Sequence, residues 1–89
     1  MKFKKTLVFL GIRANEFIDR DGKAQTYYAV SFFDPDAVSP LQVNVMDSRE
    51  RTNMIDLLLD SELGQQMTVT FQLRSQEKLY KLQIADVTL

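Results

Sequence analysis

Five runs of β-forming residues share this chain with a single helical one, and that ratio limits the fold more than any other feature. The strand-like runs are Lys2 to Ile18, Gln25 to Phe33, Leu41 to Met46, Gln66 to Arg74 and Leu79 to Leu89. The helix falls between Asp47 and Gly64, where Met54, Ile55, Leu58 and Leu59 form one apolar stripe, Asp47 and Ser48 offer an N-cap and Leu63-Gly64 a stop. A flat antiparallel sheet with one helix leaves an apolar face uncovered, so the economical solution is a sheet curled on itself with the helix at one end. At 89 residues there is room for one such domain and no second.

Several function classes drop out on composition. Without Cys or His there is no disulfide, thiolate chemistry, Cys/His zinc site or imidazole base, and no nucleophile has a visible base partner. The expectation is a non-enzyme with no cofactor. No apolar run reaches the roughly 20 residues of a membrane span, and Phe3 to Ile12 is too short and too Lys-interrupted for a signal peptide, so a cytoplasmic protein is expected. Asp19 with Asp21, and Asp34 with Asp36, are two-apart loop carboxylates, but neither continues into a cation-binding loop; Asp in such places caps a turn. The net charge is −1, with −3 concentrated between Asp47 and Glu62, leaving +2 for the rest.

The order β-β-β-α-β-β adds detail. The first strand is long and carries Gly11 at its middle, which marks a bulge or bend, or else makes room for a bulky neighbour. Asp21-Gly22 between two strand-like runs is a hairpin signal, because Gly accepts positive φ. Along the second strand, alternation sends Tyr28, Val30 and Phe32 to the core and Tyr27, Ser31 and Phe33 to the other face; a slip of one residue would expose Tyr28 and Phe32 instead. Together these features resemble the OB-fold, a five-stranded Greek-key barrel that binds oligonucleotides across strands two and three and the adjoining loops. An SH3-like barrel is the main competitor, but rarely keeps such a helix before its fourth strand.

Transferred to those strands and loops, the candidate site holds Tyr27 and Phe33 to stack on bases, Gln42 and Asn44 on strand three, Arg20 and Lys23 in the first turn, Arg74 at the end of strand four and Lys78 in the last turn. Each has an ordinary alternative: solvated turn charges, the polar side of a strand, or core packing. Lys2, Lys4 and Lys5 read either as a phosphate patch or as protection of a strand edge.

The hairpin Asp21-Gly22-Lys23 leading into Gln25-Thr26-Tyr27-Tyr28, and the closing stretch from Lys78 to Leu89, resemble the small single-stranded DNA-binding proteins of filamentous phages. The chain is also similar to short OB-like replication accessory proteins of conjugative elements and phages. The resemblance implies cooperative, sequence-independent coating of single-stranded DNA by a homodimer during replication or transfer of a mobile element; the residues themselves leave RNA open as the ligand. The acidic balance and the Asp47 to Gly64 helix depart from the phage type. A different reading is a small-barrel adaptor whose aromatic face meets protein, including a second copy of itself.

Overall fold

The computed structural model describes the backbone of residues 1–76 and 79–89, and the side chains of residues 1–74 and 82–89. Strands β1 (Lys2–Ile18), β2 (Ala24–Asp34) and β3 (Ser39–Met46) form a meander. A 3-10 turn (Arg49–Arg51) and helix α1 (Thr52–Asp60) follow, and β4 (Gln66–Gln76) and β5 (Leu79–Thr88) form a hairpin. All neighbours are antiparallel, in the spatial order β3-β2-β1-β4-β5. No helix among the described residues is long and apolar enough to cross a membrane.

One face of all five strands converges on one core. Leu7, Phe9, Val30, Phe32, Val43, Val45, Met67, Val69, Phe71, Ile84 and Val87 meet there with Ile55 and Leu58 of α1. A five-stranded sheet reaches one cluster from every strand only by curling, and β3 and β5, the two ends of the ladder, approach each other. The expected closed barrel is not formed, because the hydrogen-bonded ladder ends at β3 and β5 without joining them. The connection after β3 is tied to β5 by a side chain instead: the Arg51 guanidinium donates to the Ile84 carbonyl at 2.5 Å.

Two bulges set which residues face the core. In β1, the register against β2 slips between Phe9 and Gly11, so Phe9 opposes Phe32 and Gly11 opposes Ser31, with Leu10 the extra residue. Gly11 has φ +148°, open to glycine and rarely to other residues, while a Cβ there would meet Leu63 Cδ2 at an ordinary 3.7 Å. Backbone conformation, and not a neighbour's bulk, therefore calls for glycine. In β5 the slip falls opposite Thr70 and Phe71, leaving Ala85 extra and bringing both Ile84 and Val87 inward.

The helix departs from its expected form in three places: it ends at Asp60, short of the expected Leu63-Gly64 stop, where the Ser61 N–H donates to the Leu58 carbonyl, and its N-cap and apolar stripe also differ. Ser48 makes no side-chain cap; instead its carbonyl accepts from the Arg51 N–H and the Thr52 hydroxyl, both at 3.1 Å. The apolar stripe consists of Ile55 and Leu58, flanked by Met54 and Leu57, while Leu59 is exposed. A nine-residue helix resting across a sheet end offers the core only about one side per turn, and Leu59 lies past its edge.

Candidate functional site

Strand alternation assembles the outer face of the sheet row by row. Gly11 of β1 lies beside Ser31 of β2 and Gln42 of β3; Arg13 beside Ala29 and Asn44; Asn15 beside Tyr27 and Met46; and Val8 beside Phe33 and Pro40. Opposite them Tyr28, Val30 and Phe32 go inward, Val30 and Phe32 fully and Tyr28 partly buried against the core. The second strand therefore keeps the register the alternation predicts, with Tyr27 and Phe33 half-buried on the outer side.

Between these two rings the strand carries only Ala29 and Ser31. With Gly11 they floor a trough of about 350 Å³, edged by Ile12, Arg13 and Gln42. Small residues between large ones leave space for a flat group, and at about 3.3 Å per residue Tyr27 and Phe33 stand about 20 Å apart. Tyr27 is braced by Phe17, ring centroids 5.8 Å apart and planes 57° to one another. Gln42 and Asn44 are exposed on β3 beside the trough.

The cations distribute differently from the expectation. Arg20 and Lys23 are exposed at the β1–β2 turn but share it with Asp19 and Asp21, so the tip carries no net positive charge. Asp19 builds that turn: its Oδ1 accepts from the backbone N–H groups of Asp21 and Lys23, both at 2.9 Å, and its Oδ2 from the Gln25 amide at 3.0 Å. These bonds, Gln25 foremost, hold its carboxyl below the usual range. Arg74 is exposed on β4 past the start of β1, about 30 Å along the sheet from the trough, with its backbone opposite Lys81 of β5. Lys78 lies outside the described residues.

Of the three N-terminal lysines, Lys2 and Lys4 take the outer face beside Gln72 and Thr70 of β4. Lys5 points the other way and pairs with Asp34, the carboxylate that ends β2 and is 6% exposed. Asp34 Oδ1 also accepts from the N–H groups of Asp36 at 3.0 Å and Ala37 at 3.3 Å, capping the β2–β3 turn. The Lys5 hydrogen bond is the main cause that holds the Asp34 carboxyl below its ordinary 3.8. A lowered folded-state value means that this contact stabilises the fold above about pH 3.8 and is lost as pH falls through the still lower folded value. Urea midpoints of wild type and Asp34→Asn should therefore differ at neutral pH and converge in stronger acid; a constant gap down to pH 2 would contradict the assignment.

Arg13 went unanticipated. Before Gly11 the even-numbered residues of β1 face outward, and after it the odd-numbered ones do, so the bulge brings Lys2, Lys4 and Arg13 to the same face. Strict alternation would have separated them. Along β1 to β4 that face carries Lys2, Lys4, Arg13 and Arg74 and, among the described residues, no carboxylate; on β5 it carries the exposed Asp86, beside Thr70. Acids Asp47, Glu50, Asp56, Asp60 and Glu62 are exposed on the segment joining β3 to β4.

The fold and site thus define a small, mostly-β protein with a curled five-stranded antiparallel sheet, one short helix and a cationic, aromatic outer face. Compared with models of known protein families, with curated proteins and with solved structures, the chain matches none.

Proposed function

We propose that this protein is a sequence-independent single-stranded DNA-binding module of OB type, with the outer face of β1 to β4 as its binding surface. The observation that carries the reading is charge segregation: a chain of net −1 keeps four cations and no carboxylate on the described outer face of β1 to β4. Phosphates would lie along Lys2, Lys4, Arg13 and Arg74. Bases would stack on Tyr27 and Phe33, with the trough between them free of side chains that would block a ring. Gln42 and Asn44 supply hydrogen bonds that any base edge can satisfy. The setting proposed with this activity is replication or transfer of a phage or mobile element, with the protein acting as a homo-oligomer in the cytoplasm.

Fluorescence anisotropy with labelled oligo-dT tests the proposal. If all four cations neutralise phosphates, the expected slope of log K on log salt is about −3, or roughly 50-fold weaker binding at 200 mM than at 50 mM salt. Arg13→Ala should flatten that slope by about 0.7. Tyr27→Ala and Phe33→Ala should each cost about 1–3 kcal/mol of affinity if they stack on bases. Absence of binding at about 50 mM salt would overturn the proposal. The competing reading, an adaptor that buries the same face against protein, is favoured by the exposed Phe17 and Met46 beside Tyr27. It calls for a salt-insensitive dimer lost on Tyr27→Ala and no oligo-dT binding at about 50 mM salt, so light scattering and anisotropy together separate it from a DNA-binding homo-oligomer.

A further inference from the structure

At the start of β1, about 20 Å along the strand from the bulge, the curled sheet is not plugged. Here Phe3, Leu41, Phe71 and Leu82, from four different strands, wall a cavity of about 250 Å³ that no residue of α1 lines. Phe3 and Phe71 stack along one side, centroids 5.5 Å apart and planes 29° to one another. Among the described residues, Lys5 and Asp34 supply its charged groups.

Those two are unequally committed. The Asp34 carboxylate already accepts from Lys5 and from two backbone N–H groups, whereas the Lys5 ammonium has three donors and gives one to Asp34. Its side chain is 38% exposed, so it is held without being enclosed. The lip beside it is strained: Val38, between the lining residues Ala37 and Ser39, sits at φ +50° with its side chain 75% exposed. A β-branched residue in the left-handed region is an outlier, and such strain persists where the surroundings fix it and concentrates at ligand sites.

We infer that this cavity binds a small uncharged molecule with an apolar ring or short chain and one hydrogen-bond acceptor. The walls exclude water from the apolar body, and the acceptor takes a spare Lys5 donor. An anion would place a second negative charge beside Asp34, and a cation would meet Lys5, so either loses by desolvation what it gains by contact. The volume is below the range for drug-sized ligands and suits a single substituted ring.

Benzyl alcohol is the probe, with toluene, benzoate and benzylamine as controls, each titrated into labelled protein and followed by amide NMR shifts. Benzyl alcohol should give saturable shifts at Phe3, Ala37, Leu41 and Leu82 with a millimolar Kd, as expected for eight heavy atoms, and bind at least about fivefold tighter than any control. Ala37→Trp, a change at an exposed lip residue, should weaken it at least about tenfold. Lys5→Met with Asp34→Asn, which removes both charges together, should erase the preference over toluene while leaving toluene bound. No saturation by about 50 mM, equal binding of the charged controls, or shifts unaffected by Ala37→Trp would overturn the inference. None of these outcomes depends on whether the outer face binds DNA.

Discussion

Phe32→Ala will cost about 3–5 kcal/mol of folding stability, and Phe33→Ala, one residue further on, only about 1–2. Phe32 is fully buried, faces Leu41 on β3 and packs edge-on against Phe9 with centroids 6.3 Å apart. Truncation there leaves a ring-sized hole between three strands that cannot collapse independently. Phe33 lies half-buried on the outer face between Val8 and Pro40, where water fills the space a smaller side chain leaves. A chain of this length has a total stability of about 4–13 kcal/mol, so Phe32→Ala brings it close to the unfolding threshold. Urea denaturation measures both, and equal losses would mean that β2 is held in the other register.

Gly11→Ala will cost about 1–3 kcal/mol, although nothing crowds the position. The added Cβ meets Leu63 at van der Waals distance, so the whole effect comes from forcing an L-residue to φ +148° or unwinding the bulge. Unwinding would turn Arg13 and Asn15 away from the face they share with Lys4. The variant should therefore lose DNA affinity beyond its loss of stability, measured at a temperature where it is still folded. Should stability stay within about 0.3 kcal/mol of wild type, the strained glycine is not what sets the bulge.

How much of this could be read from the residues depends on where alternation holds. In β2, β3 and the described side chains of β4 up to Phe71 it holds, and the inward sets Val30 and Phe32, Val43 and Val45, and Met67, Val69 and Phe71 are legible in sequence. It fails where a strand gains a residue. Gly11 announces the first slip, but a glycine does not say which neighbour is extra, and Arg13 was missed for that reason. Nothing in Ala85 or Asp86 announces the second, so Val87 gave no sign of its inward place. Lys5 illustrates another limit: three nearby lysines look alike in sequence, while the fold sends Lys5 alone to a carboxylate 29 residues away. Ladder closure was beyond sequence as well, since strand patterning does not say whether the two end strands, β3 and β5, come within hydrogen-bonding reach.

The sharing of β1 between two partners has a consequence for how the chain becomes a fold. Its residues from Val8 onward pair with β2 and those up to Val8 with β4, so Val8 alone belongs to both ladders. The first ladder closes across a five-residue turn, within reach of a hairpin forming in microseconds. The second joins Lys2 to Gln72 and needs nearly the whole chain. The meander can assemble early on a growing polypeptide, while seven residues at its start keep their edge unpaired until β4 arrives. Refolding should be governed by that late, long-range closure and fall in the milliseconds-to-seconds range of topologies dominated by distant pairings.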